Sequence, residues 1–273
     1  MLTAGCFLIN TRQDLSPTIA IVIPARLASE RLPKKILHDF AGLPMIEHVR
    51  RRGSMNSYSV PVFVASGDEQ ILEVVNSYGG QYVKTFREHS DGLSRVNEAS
   101  ESLNYSHFIV LQGDEILVLP SELDKLIEAI YGAPEVKIWN QITSLLKEEE
   151  LEDISIVKCL TDSSKNIFSI FRKSPLISDK ATQMRLVAKI CGLFAVSTPT
   201  LREICQKQNG KIQITESIEQ LKFIEYGYSL RSLATSFNFP SVNTNDDVRA
   251  VHHILENSSQ QRKLLNEVLE FAN

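Results

Sequence analysis

The stretch TIAIVIPARLASERLPKKIL, residues 18–37, decides the fold. Its first half, Ile19 to Ile23, is an unbroken apolar run rich in β-branched side chains, of strand length and stopped by Pro24. An unbroken run marks a strand covered on both faces, as in a parallel sheet between layers of helices. Similar runs recur at Val60 to Ala65 and Phe108 to Leu111, with helical spacing between them at Pro44 to Arg52 and Asp68 to Ser77. That β-α-β-α order predicts an open α/β sheet, mixed but mainly parallel, whose ligands collect beyond the carboxyl ends of the strands.

Outward from this core the pattern changes. From Lys137 it becomes strand-rich, at Lys137 to Leu145, Ile154 to Leu160, Ile167 to Arg172 and Lys189 to Val196, which predicts a smaller subdomain over residues 137–196. Helical patterns return at Thr198 to Gln206, Glu216 to Tyr226, Asn245 to Glu256 and Ser259 to Phe271. Residues 1–17 lack periodicity and end in Ser16-Pro17, so they read as an extension before a single domain of residues 18–273.

Composition excludes several classes. With 43% hydrophobic and 23% charged residues among 273, the chain is neither disordered nor a disulfide scaffold. The net charge of −4 gives no global pull toward nucleic acid or an anionic membrane, so an anionic ligand must be caught locally. Cys6, Cys159, Cys191 and Cys205 are too widely spaced for a zinc knuckle and read as reduced thiols of a cytoplasmic protein. No apolar run approaches the ~20 residues that cross a bilayer. The dinucleotide, P-loop and nucleophile-elbow fingerprints are all missing.

Two segments after predicted strands carry chemistry. In the loop after Ile23, Arg26, Arg31, Lys34 and Lys35 put four cations within ten residues. Arginine matches phosphate oxygens bidentately and lysine adds a point charge, so Arg26, Arg31 and Lys35 suit a triphosphate, although a solvated charged loop has the same composition. After Phe108 to Leu111 comes Gln112-Gly113-Asp114-Glu115. A carboxylate at a strand end can set magnesium against substrate phosphates, although an aspartate there is also a common turn former.

Taken in order, IPARLASERLPKKIL, HSDGLSRVNEA from His89, VLQGDE from Val110, SIEQLKFIEYG from Ser217 and SVNTNDDVRAV from Ser241 resemble the 3-deoxy-manno-octulosonate (KDO) cytidylyltransferases, the CMP-KDO synthetases of lipopolysaccharide biosynthesis. The likeness runs from about Ile19 to about Leu255. It implies a Rossmann-like nucleotidyltransferase fold with a strand-rich insertion and a homodimer. It further implies that CTP and a 3-deoxy-2-ulosonic acid give a CMP-sugar and pyrophosphate, with magnesium as cofactor. By the same resemblance Ala25, Arg26, Ser29, Arg31, Lys35, Ser66, His89, Gly92, Arg95 and Gln112 meet the nucleotide, and Gln112, Glu216, Glu219, Gln220 and Lys222 meet the sugar. Arg26, Lys35 and Asp114 are then the catalytic residues, and Asp114 with Asn243 the metal ligands.

The chain departs from that pattern in places. Lys34 replaces a glycine, Ala65-Ser66-Gly67 followed by Asp68 an ATD segment, Asn243 the second metal-binding aspartate, and Lys222 the arginine of QLR. Leu93 and Ser94 replace a threonine and an acid, and Ile190 stands where the sugar-side histidine belongs, one place from Lys189. These changes leave open an altered acid sugar, another NTP, or a catalytically lapsed nucleotide-binding homologue.

Overall fold

A computed structural model describes residues 16–29 and 31–271, so the first 15 residues of the expected extension lie outside the described residues. The amino-terminal half runs β1 (Ile19–Pro24), the hairpin β2 (Asp39–Phe40) and β3 (Leu43–Pro44), α1 (Met45–Ser54), β4 (Val62–Ser66), α2 (Glu69–Ser77), β5 (Gln81–Lys84), α3 (Gly92–Ser100), β6 (His107–Leu111) and α4 (Pro120–Gly132). The chain continues through β7 (Ile138–Ser144), β8 (Lys158–Thr161), β9 (Asn166–Phe171), α5 (Lys180–Leu186), β10 (Ala188–Ser197) and α6 (Thr198–Gln206). It closes with α7 (Lys211–Glu216), α8 (Leu221–Glu225), β11 (Leu230–Ala234), α9 (Asn245–Asn257) and α10 (Ser259–Leu269).

Nine strands form one sheet in the order β5-β4-β1-β6-β10-β7-β11-β9-β8. The unbroken apolar run of β1 has the expected cause: Ile19, Ile21 and Ile23 enter one core while Ala20 and Val22 enter another on the opposite face. The first core is closed by α1, α2, α4 and α9 through residues such as Ile46, Ile71, Leu126 and Val251. The second is closed by α3, α6 and α8 through Val96, Leu201 and Phe223.

The expected mixed, mainly parallel α/β sheet holds: seven of its nine strands point one way, and β9 and β10 run against them. Pairings β5–β4, β4–β1, β1–β6 and β7–β11 are parallel, whereas β10 runs antiparallel to β6, β7 and β8, and β9 antiparallel to β8 and β11. Apolar runs report burial and not strand direction, so the reversal at β10 was not readable. All four strands of segment 137–196, β7, β8, β9 and β10, belong to the main sheet. A small separate core of Leu145, Leu151 and Val187, flanked by Leu176 and Met184, lies inside that segment.

Two further expectations change. The helix drawn over Glu216 to Tyr226 is broken: α7 stops at Glu216, Ser217 takes the left-handed conformation at φ 52°, and α8 starts at Leu221. The strand drawn from Ile154 begins only at Lys158. Cys159, Cys191 and Cys205 are free thiols, as expected, and Cys6 lies outside the described residues. Among the described residues no helix is long and apolar enough to cross a membrane.

The parallel pairing of β1 with β6 and β4 matters most for function. It brings the loop after Pro24, the turn after Leu111 and the residues after Ser66 to one sheet edge.

Candidate active site

At that edge lies an open cavity of about 1030 Å³. The backbone of the cationic loop is held by its neighbours: Ala25 N–H donates to the Ala65 carbonyl at 2.9 Å, and Leu27 N–H to Asp68 Oδ2 at 2.8 Å. Asp68 is in turn steadied by its own N–H donating to Ser66 Oγ, 3.1 Å. Ser66 is fully buried and does not line the cavity, and its hydroxyl accepts from the turn that presents Asp68.

Buried Leu32 and Ile36 anchor the far end of the loop and aim Lys35 between three segments. Its ammonium donates to Asp114 Oδ2 at 2.8 Å, to the Val242 carbonyl at 2.9 Å and to Asn243 Oδ1 at 3.1 Å. Arg31 Nη2 donates to the same Asn243 oxygen at 3.1 Å. Asn243 is set in place by Val242 N–H donating to the Asp114 carbonyl at 3.1 Å and by Asp247, whose carboxylate accepts from the Asn243 and Thr244 amides at the start of α9. Asp247, four residues on, is therefore committed to capping a helix.

The donor set fits magnesium in part. Asp114 and Asn243 offer two oxygens within reach of one cation, a carboxylate and a neutral amide, which suits an ion that takes its other ligands from phosphate and water. Among the described residues no group of three or more His, Cys, Asp and Glu could hold a metal by themselves.

The wall opposite in sequence comes from α3 and the segment before α8. His89 Nε2 pairs with Glu98 Oε2 at 2.6 Å and its Nδ1 with Ser94 Oγ at 3.2 Å, so the ring is fixed rather than loose. Arg95 donates to Thr85 Oγ1 at 2.6 Å, and burial lowers its pKa. Gly92 begins α3 where a Cβ would crowd Pro24, Gln112 and Glu219. Glu219 accepts from the Leu93 amide and, at 3.3 Å, from Gln112 Nε2. Burial, with the Asp91 charge adding to it, pushes the Glu219 carboxyl up to about 8. Glu115, behind Asp114, is pushed up to about 7 by burial and by that neighbour, and accepts from Ser241 Oγ and the Gly192 amide.

Of the residues expected at the site, Ala25, Arg26, Ser29, Arg31, Lys35, His89, Gly92, Arg95, Gln112, Asp114, Glu219 and Asn243 line this one cavity. Glu216, Gln220 and Lys222 do not. The break at Ser217 is the reason: it turns Glu219 inward, while the Glu216 carbonyl accepts from Arg172 and Gln220 and Lys222 are buried outside the cavity. Arg172, Asp91, Asn209 and Gln213 line it unforeseen. A cation directly after strand β9 was the one visible signal for Arg172. The lining sets five cations, Arg26, Arg31, Lys35, Arg95 and Arg172, against the carboxylates of Asp91, Asp114 and Glu219, so a chain of net charge −4 presents a locally cationic pocket.

Residues 20–233 match the model of a cytidylyltransferase family. The chain belongs to the cytidylyltransferase family. Among its relatives, the 3-deoxy-manno-octulosonate cytidylyltransferase of Chlorobium limicola is 32% identical over 245 residues, covering 88% of this chain and 98% of that one. The 8-amino-3,8-dideoxy-manno-octulosonate cytidylyltransferase of Shewanella pealeana is 30% identical over 235 residues, covering 85% and 96%. A solved CMP:2-keto-3-deoxy-manno-octonic acid synthetase complexed with CTP superposes with a TM-score of 0.81 at 26% identity, over 88% of this chain and 98% of that chain.

In this cytidylyltransferase Lys34 adopts φ 54°, the left-handed region that favours glycine. Lys34→Gly is expected to raise stability by about 1 kcal/mol, read from urea unfolding, and an unchanged or lower midpoint would contradict the strain.

Glu219 gives a pH signature. The unfolded chain ionises it near 4.5 and the folded chain near 8, so the folded state binds more protons in that window and loses stability as pH rises through it. Glu219→Gln should therefore gain stability over wild type at pH 8 and not at pH 4.5. A difference that stays constant with pH would show that Glu219 does not titrate this way.

Proposed function

We propose that the chain transfers CMP from CTP to a 3-deoxy-2-ulosonic acid sugar, KDO or a KDO-like acid, releasing pyrophosphate for lipopolysaccharide or surface polysaccharide synthesis. The observation that carries this is the cluster of Lys35, Asp114 and Asn243, where a cationic loop meets a strand-end carboxylate in one cavity. The curated relatives, named for KDO and for its 8-amino derivative, support the acceptor class.

Arg26, Arg31 and Lys35 neutralise the triphosphate and hold it in the line of attack. The acceptor's anomeric hydroxyl attacks the α-phosphorus, the bond to the β-phosphate oxygen breaks, and no covalent enzyme intermediate forms. Asp114 and Asn243 would hold magnesium, which would supply positive charge to stabilise the leaving pyrophosphate. Glu219, protonated below about pH 8, can donate a hydrogen bond to a sugar hydroxyl, and Gln112 turns its amide to the same place. Arg172 supplies a cation for the acid's carboxylate.

A homodimer fits the exposed apolar side chains Leu146, Ile154, Phe168, Ile177 and Leu186 of the strand-rich segment and its surroundings. We place the enzyme in the cytoplasm, where CTP is made.

Asp114→Ala is expected to lower turnover by about 1000-fold or more while CTP binding weakens far less, because the carboxylate acts on charge that develops during transfer. Pyrophosphate release and calorimetric CTP titration measure the two. Wild-type turnover in that variant would refute the role.

A further inference from the structure

Lys222 is kept out of the cavity yet has a part in shaping it. Its side chain sits on α8, only 5% exposed, and donates to Asn209 Oδ1 at 3.0 Å. A buried ammonium whose described hydrogen bond runs to a neutral amide pays a desolvation cost, and what it holds in place explains why it is there.

The same helix region grips the same segment elsewhere. Glu225 accepts from the Ile212 and Gln213 amides at 3.0 and 2.9 Å, and Tyr226 Oη donates to the Gln208 carbonyl at 3.0 Å. Gly210 lies so close to Glu225 that a side chain there would overlap its carboxylate. From across the cavity, Asn209 Nδ2 donates to Ser90 Oγ and Gln213 Nε2 to Asp91 Oδ2, both at 3.2 Å. Residues 208–214 thus form a strap between α8 and the start of α3. Ile212 and Ile214 on it are exposed, so apolar burial contributes little and the polar bonds set its position.

Asn209 and Gln213 bring neutral amides to the cavity wall. Each amide keeps one N–H beyond its bonds to Ser90 or Asp91, which suits a polyhydroxylated sugar, whereas the phosphate-matching cations come from the loop after β1. We propose that Lys222 is a positioning residue for acceptor selection, holding the strap through Asn209 so that Asn209 and Gln213 face the sugar. The proposal rests on the CMP-transfer reading above.

Full-length Lys222→Met, Asn209→Ala and their double variant are assayed for pyrophosphate release with KDO and its 8-amino derivative, varying acceptor and then CTP. Each single change is expected to raise the acceptor KM about tenfold with CTP KM unchanged, the double to be no worse than the worse single, and Lys222→Arg to recover most of the loss. A wild-type acceptor KM in both singles, or additive losses in the double, would overturn the proposal. Asn209 is exposed, so a wild-type acceptor KM in Asn209→Ala overturns the proposal even if Lys222→Met misfolds. If the wild type uses neither acid, the CMP-transfer reading fails separately. Amide hydrogen exchange at Ile212 and Gln213 then decides the strap: faster exchange in Lys222→Met supports the clamp, and unchanged exchange overturns it.

Discussion

One ammonium group organises the site. Lys35 binds oxygens of Asp114 and Asn243 together, joining a loop after β1, a turn after β6 and the lead into α9. These positions are 79 and 208 residues apart from it in the chain, so only the sheet can bring them together. Parallel pairing of β1 with β6 fixes the first approach, and the Val242 amide on the Asp114 carbonyl fixes the second. The pair is partly exposed, so its value lies in placing a carboxylate, an amide oxygen and a cation at one point and not in stability.

Around that point the protein uses burial to control charge. Glu115 and Glu219 are both carboxyls whose ionisation is opposed by their surroundings, each beside an aspartate. Keeping Glu219 neutral near pH 7 lowers the negative charge facing an anionic ligand and leaves a proton available for hydrogen bonding. The five lining cations then dominate.

Much of this was legible in the chain. The β1 run, the cations after it and the carboxylate after β6 were readable because burial on both faces and strand-end placement leave local patterns. The direction of β10 left none, since an antiparallel strand between covered neighbours has the same apolar content as a parallel one. The break at Ser217 was hidden because SIEQLKFIEYG has helical spacing throughout, and only tertiary bonds, Leu93 amide to Glu219 among them, override it. Ser66 and Lys222, both singled out by resemblance, lie outside the cavity lining, the first bonded to the turn of Asp68 and the second to Asn209 of the strap. Arg172, Asn209 and Gln213 meet the cavity from segments whose local sequence carries no motif.

Asn243 supplies an amide oxygen where a second carboxylate would bring charge. Lys35 and Arg31 both bind that oxygen, so the position is occupied by a group that still gathers the site together. The deciding measurement is pyrophosphate release by the purified full-length protein with magnesium, each of the four NTPs in turn, and KDO, its 8-amino derivative or neuraminic-type acids. Release with CTP and a 3-deoxy-2-ulosonic acid, dependent on magnesium, is the expected result. Tight CTP binding with no release from any pair would contradict it.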